Sequence, residues 1–173
     1  EKETRLIIAN LFASPLTLLY GASGVGKTSV LRAGVTYQLR ERNDLLVVVF
    51  NAWQSDPLGG FKAVIAEAAS RATGASVPSS DAASLADHLA TSAARLNRRL
   101  MIILDQFEEY FLYHPQGDEF ADEWAQAVTR GAAPISFLVS IRDDALSKLD
   151  RFEGHIPNLF DNLLRLEHLD REA

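Results

Sequence analysis

The chain has 173 residues, 47% of them hydrophobic and 23% charged, a formal net charge of −6 and a pI near 5.2. That length suits one domain with a buried core, and the composition excludes a disordered or collagen-like chain. The acidic balance argues against a surface broadly given over to nucleic acid, and the lack of cysteine excludes disulfides, thiolate catalysis and cysteine zinc sites.

No apolar run approaches the roughly 18 to 20 residues of a membrane span, and the charged opening Glu1-Lys2-Glu3-Thr4-Arg5 is not a signal peptide. A reducing cytoplasm suits the cysteine-free chain. The missing initiator Met and the uncapped end Asp170-Arg171-Glu172-Ala173 read as a domain excised from a longer multidomain protein. Residues 1–173 are expected to form a single nucleotide-binding domain.

In chain order, short unbroken apolar runs occur at Leu16 to Tyr20, Leu45 to Phe50, Leu100 to Leu104 and Ile135 to Ile141. Such runs are expected of strands buried on both faces. Between them lie helical spacings: Val30, Leu31 and Val35; Phe61, Val64, Ile65 and Ala68; Leu85, Leu89, Ala93 and Leu96; Phe120, Trp124 and Val128. Alternation of this kind predicts an α/β three-layer sandwich with a mainly parallel central sheet of about five strands. Ser80 or Asp81 is placed to cap the third helical segment. The segment Leu163 to Leu169 reads as a fifth strand or the start of a last helix.

The first strand runs directly into Gly21-Ala22-Ser23-Gly24-Val25-Gly26-Lys27-Thr28, and Lys27-Thr28-Ser29 opens a helical pattern. This is the strand, loop and helix context of a Walker A phosphate-binding loop. Its glycines let backbone N–H groups turn inward around a phosphate, and the helix N-terminus adds positive potential. Lys27 would reach the β- and γ-phosphates and Thr28 would place its hydroxyl on Mg²⁺, with a further hydrogen bond from Ser23 or Ser29.

The third strand ends in Asp105, a carboxylate at the sheet edge where ligands collect, in the Walker B position for Mg²⁺. Gln106 follows where a second carboxylate would serve as base; an amide can orient a water but cannot take its proton. Glu108 or Glu109 could polarise that water, or both could stabilise the start of a short helix through its dipole. Arg142, at the end of the fourth strand, could touch a γ-phosphate or pair with Asp143 or Asp144. His88, His114, His155 and His168 share no metal-ligand spacing, Trp53 and Trp124 suit packing, and Arg98-Arg99 reads as a solvated helix end. No Asn-Lys-x-Asp string for reading guanine occurs, which favours ATP over GTP. Residues between Leu6 and Ala13 are candidates to pack on the base.

Three strings together, GASGVGKTSVL at Gly21 to Leu31, LDQFEEYF at Leu104 to Phe111 and SIRDD at Ser140 to Asp144, resemble the STAND-class P-loop NTPases. The acid-Gln-Phe-Glu-Glu string is most similar to the bacterial novel-STAND branch, and Leu166 to Ala173 is similar to that branch's exit from the nucleotide domain. Phe50-Asn51-Ala52-Trp53 also resembles the KAP P-loop NTPases. The STAND resemblance implies an ATP/ADP switch of low basal turnover, cytoplasmic, joined to sensor and effector domains of the same chain. It also implies ATP-dependent homo-oligomers and, in bacterial relatives, defence against phage. By that pattern Lys27 and Thr28 hold phosphate and Mg²⁺, Asp105 holds Mg²⁺ and Arg142 is the sensor arginine. An AAA-like remodelling ATPase and a non-hydrolysing nucleotide-binding scaffold are the alternative readings.

Overall fold

The computed structural model describes residues 2–79, 83–131 and 134–167. Helix α1 (Lys2–Ala13) leads into β1 (Leu16–Gly21), and a loop then opens a continuous helix running from α2 (Lys27–Ser29) through a π-helical segment (Val30–Thr36) into α3 (Tyr37–Arg40). Next come β2 (Leu45–Phe50), α4 (Pro57–Thr73), α5 (Leu85–Leu96), β3 (Arg99–Leu104), the short α6 (Glu108–Tyr113) and α7 (Glu119–Arg130). Strand β4 (Ile135–Arg142), a 3₁₀ helix (Asp143–Phe152) and β5 (Leu163–Arg165) complete the order.

All five strands are parallel, in the order β2-β3-β4-β1-β5. The four longer strands coincide with the apolar runs to within one residue at either end. Such runs contain no alternating polar face, so both faces of the sheet must be covered by helices. The last segment resolves as a strand over Leu163–Arg165, while residues 168 and 169 lie outside the described part.

Local chemistry sets the helix ends. Asp56 accepts the Gly59 N–H at 2.9 Å and Pro57 fills the first turn of α4; an N-cap and a first-turn proline both suit orphan N–H groups. Ser84 caps α5 by accepting the Asp87 N–H at 3.1 Å. The expected caps Ser80 and Asp81 lie outside the described residues, and Ser84 fills that role because it immediately precedes the first helical turn. Helix α1 carries no helical expectation from the sequence, since its polar opening hides the i, i+4 pair Ile7 and Leu11, which are 2% and 0% exposed.

Alternate strand residues point to opposite faces, and two different cores result. One face is rich in aromatics: Phe50, Trp53, Phe61, Phe107, Tyr110, Phe120, Trp124, Phe137 and Phe152 pack under α4 to α7 and the 3₁₀ helix. The other is aliphatic, with Ile7, Leu11, Leu19, Leu31, Val35, Val47, Met101, Ile103 and Leu138 under α1 and the α2–α3 helix. The α1 contact is close: a Cβ on Gly34 would lie 2.5 Å from the Thr4 hydroxyl oxygen.

Candidate functional site

The carboxyl ends of β1, β3 and β4 meet beside the N-terminus of α2. The loop after β1 reverses around Gly24 (φ 76°) and Gly26 (φ 93°), left-handed conformations that favour glycine. Nothing lies within 4 Å of where a Cβ would sit on either, so backbone conformation, not crowding, requires them. Val25 between them is buried in the aliphatic core and anchors the loop from below.

A cleft of about 300 Å³ opens there, lined by Ser23, Gly24, Gly26, Lys27, Thr28, Ser29, Asp105, Gln106, Glu108, Ser140 and Arg142. Of the residues expected at the site, Gly21, Ala22 and Val25 support it from outside the cleft. The Lys27 ammonium donates to the carbonyls of Gly21 at 2.8 Å and Ala22 at 3.0 Å. Desolvation lowers the Lys27 pKa from its ordinary value, opposed by the nearby Glu108, Asp143 and Asp105 carboxylates and reinforced by Arg142. The last strand closes the loop from behind: Leu166 N–H donates to the Tyr20 carbonyl at 2.8 Å. A Cβ on Gly21 would meet the Leu166 carbonyl oxygen at 2.4 Å, so backbone requires the glycine here.

Asp105 is 1% exposed. Its Oδ1 accepts the N–H of Gln106 at 3.0 Å, while Oδ2 is buried without a hydrogen-bond partner. The hydroxyl of Ser140, 1% exposed and in the same cleft, is also unpartnered. Leaving a buried polar oxygen unsatisfied costs about 1–3 kcal/mol, and two such oxygens in one cleft mark where a polar ligand or cation fits. Thr28 and Asp105 supply the hard oxygen donors Mg²⁺ prefers, and Mg²⁺ takes few protein ligands alongside phosphate and water. The residues present therefore fit that ion. Among the described residues no group of three or more His, Cys, Asp or Glu side chains forms a separate metal site.

Gln106 adopts φ 53°, an uncommon conformation for a non-glycine residue that costs roughly 1–3 kcal/mol. It turns the chain sharply off β3, sends Phe107 into the aromatic core and brings α6 to the cleft. Phe107 N–H is held by the Ser140 carbonyl at 2.9 Å. The turn separates the two glutamates. Glu108 lines the cleft beside Lys27, and its Oε2 accepts the backbone N–H of Arg142 at 3.3 Å. Burial pushes its carboxyl pKa up, against the backbone hydrogen bonds and the Lys27 and Arg142 charges that lower it. Glu109 lies outside that cleft and lines a neighbouring one with Leu112, Asp144, Ala145 and Lys148.

Arg142 borders both clefts. Its Nε donates to Asp144 Oδ1 at 3.1 Å and its Nη2 to Asp144 Oδ2 at 2.6 Å. Of the two readings of this arginine, the pair is observed, with Asp144 as the partner, and the residue also borders the cleft beside Lys27.

Other expectations change. Arg99 is not a solvated helix end: it begins β3 and donates to the Ser136 hydroxyl at 2.8 Å and the Phe12 carbonyl at 3.3 Å. The turn after Asn97 (φ 48°) carries it inward. No α1 residue lines the cleft beside Lys27; Leu6 is exposed while Ile7 and Leu11 are core. Two residues at the site lie in motif strings that assign them no role, Ser140 at the head of Ser140 to Asp144 and Trp53 at the end of Phe50 to Trp53. Apart from its string, Ser140 shows only as a polar residue interrupting an apolar strand run. Trp53 is fully buried and donates its indole N–H to the Asp105 carbonyl at 2.8 Å, a contact between residues far apart in sequence.

A parallel sheet with a glycine loop cradling a helix N-terminus, a lysine inside the loop and an aspartate on the facing strand end define a P-loop NTPase. A family model for the novel STAND NTPase 1 family matches residues 1–173. The chain belongs to that family, and membership implies nucleotide binding and hydrolysis. Solved structures share the fold. Aeropyrum pernix ORC2 in its ADPNP–ADP complexes aligns at TM-score 0.68 and 20% identity, over 95% of this chain and 46% of that one. The Walker-type ATPase PABY2304 of Pyrococcus abyssi aligns at 0.68 and 20%, over 99% and 54%. Aeropyrum pernix ORC1 in complex with DNA aligns at 0.69 and 22%, over 96% and 44%. The chain spans about half the length of these proteins. The comparison with curated proteins gave no match.

Proposed function

We propose that this chain binds Mg·ATP and Mg·ADP and hydrolyses ATP slowly, as the nucleotide switch of a longer signalling protein. The observation that carries this reading is the buried, unpartnered Oδ2 of Asp105 in the same cleft as Lys27, Thr28 and Arg142. Lys27 exchanges its two loop carbonyls for phosphate oxygens, and Thr28 and Asp105 hold the Mg²⁺. When bound, that ion neutralises charge on the phosphate oxygens.

Glu108 is the better placed of the two glutamates to accept the proton of an attacking water, because it lines the cleft and burial raises its proton affinity. Gln106 orients that water through its amide. Arg142 leaves Asp144 for the γ-phosphate when a third phosphate is present, which gives the protein a way to distinguish ATP from ADP. A surface arginine–carboxylate pair is weak enough to be exchanged in this way. Membership of the STAND family supports the remaining parts of the reading: a cytoplasmic protein, sensor and effector domains in the same chain, ATP-dependent homo-oligomers and a role in defence.

Calorimetric titration with ADP, ATP and GTP in Mg²⁺, with phosphate release followed over hours, tests the proposal. Adenine-selective binding with slow release is expected. Absence of nucleotide binding, or equal affinity for GTP, would sink it.

A further inference from the structure

A line of polar contacts crosses the aromatic core without taking part in the chemistry proposed above. It begins at the end of β3, where Trp53 Nε1–H donates to the Asp105 carbonyl at 2.8 Å. The carbonyl of Trp53 meets His114 Nε2 at 2.7 Å; a carbonyl oxygen only accepts, so that nitrogen carries the hydrogen. His114 Nδ1 faces Asp118 Oδ2 at 3.2 Å, and Tyr110 donates its hydroxyl to Asp118 Oδ1 at 2.7 Å. The Tyr110 and His114 rings stack with centroids 5.4 Å apart. Arg151 of the 3₁₀ helix closes the end by donating to the carbonyls of His114 at 3.3 Å and Pro115 at 2.8 Å.

The contact with Asp105 acts on one peptide unit. Its carbonyl is held by the indole, and its N–H, that of Gln106, is held by Asp105 Oδ1 at 3.0 Å. Rotating that unit would break both hydrogen bonds together, in a buried setting where an unmade bond is costly. Fixing the unit therefore fixes which carboxylate oxygen is occupied by backbone and leaves Oδ2 bare in the cleft. The left-handed Gln106 is held in the same way.

We propose that Trp53 and His114 are positioning residues for the Asp105 carboxylate, orienting its free oxygen toward the cation through the Asp105–Gln106 peptide. This rests on the reading that Asp105 holds Mg²⁺. It assigns to the Trp53 to Asp118 line the part that hydrogen-bonded supporting groups play at metal sites generally: keeping ligand orientation at little cost to the ligand itself.

The test compares ADP affinity with and without Mg²⁺ in the intact protein and in W53F, H114A, H114Q and D105A, with thermal melts as a check on folding. In wild type, Mg²⁺ should tighten ADP binding, and D105A should abolish the enhancement. W53F and H114A should reduce it by about ten-fold or more, with Mg²⁺-free ADP affinity unchanged, since the phosphate loop packs on the other face. H114Q keeps an N–H for the Trp53 carbonyl and should restore most of the effect, which a merely structural role would not predict. Wild-type enhancement in both W53F and H114A overturns the positioning role. If wild type binds ADP with no enhancement, the Asp105 assignment fails and this proposal falls with it. If W53F does not fold, the H114A and H114Q pair decides.

Discussion

Beneath the phosphate loop the sheet is backed by aliphatic side chains, with Val25, Leu31 and Val35 packed on Leu19, Met101 and Leu138. Beneath Asp105 it is backed by rings: Trp53 lies 5.0 Å from Phe107, 5.4 Å from Phe120 and 5.8 Å from Tyr110, mostly edge to face. The two halves of one site are thus supported differently. On the proposed reading the loop side needs only a firm floor, because backbone N–H groups and Lys27 would do the binding and the glycines set their geometry. On the same reading the Asp105 side would have to hold one carboxylate oxygen in one direction, and aromatic rings with polar handles give both packing area and directional hydrogen bonds.

The difference can be broken most severely at Phe107, which touches Trp53, Tyr110, Phe111, Trp124 and Phe152. Phe107→Ala should cost about 3–5 kcal/mol in denaturant unfolding and, where the variant still folds, weaken Mg²⁺-dependent nucleotide binding. Leu11→Ala, in the aliphatic core, should cost about 2–5 kcal/mol while Mg²⁺ dependence survives. Equal damage to the site by both substitutions would remove the distinction between the faces.

Smaller effects sharpen it. Glu108→Gln should slow ATP hydrolysis by about 10²-fold or more with ATP affinity retained, whereas Glu109→Gln should leave turnover within a few-fold of wild type. The same variant has a signature in pH. Because burial raises the Glu108 pKa in the fold above its ordinary 4.5, its neutral form favours the folded state. That contribution is fully present below pH 4.5 and is lost as pH rises through the raised value. Glu108→Gln should therefore melt higher than wild type near neutral pH and show less loss of stability between acid and neutral conditions. On the loop side, Lys27→Ala should reduce nucleotide affinity by about ten- to a hundred-fold in calorimetric titration, the range of one charge-assisted hydrogen bond.

The smallest expected effect is at the exposed pair. Asp144→Asn releases Arg142 from an interaction worth about 0.2–1 kcal/mol. ATP affinity should rise relative to ADP by at most about five-fold, read from competition titrations. A fall in ATP affinity would show that Asp144 orients Arg142 toward the phosphate instead of competing for it.

Cavity size does not locate this site. A larger cavity, about 620 Å³, lies at the opposite edge of the sheet between α1, α5 and α7, where Arg99 is held by Ser136 and Phe12. The smaller cleft beside Lys27 differs in carrying two buried unpartnered oxygens, Asp105 Oδ2 and Ser140 Oγ, whereas the unpartnered buried atom at the larger cavity is a donor, Arg99 Nε.

Legible in the sequence alone are the four long strands, the helices between them and the glycine loop between β1 and α2. Each is written in local terms: an unbroken apolar run, a 3.6-residue spacing, a glycine pattern opening a helix. Asp105 was legible for the same reason, as an acid ending a strand behind such a loop. Only the tertiary structure decided that Glu108 enters the phosphate cleft and Glu109 does not, since this depends on the left-handed turn at Gln106. It likewise decided that Arg142 sits between Asp144 and the cleft, that α1 buries Ile7 and Leu11, and that Trp53 reaches Asp105. Those facts arise from packing between residues tens of positions apart, and sequence periodicity carries information only about neighbours a few residues away.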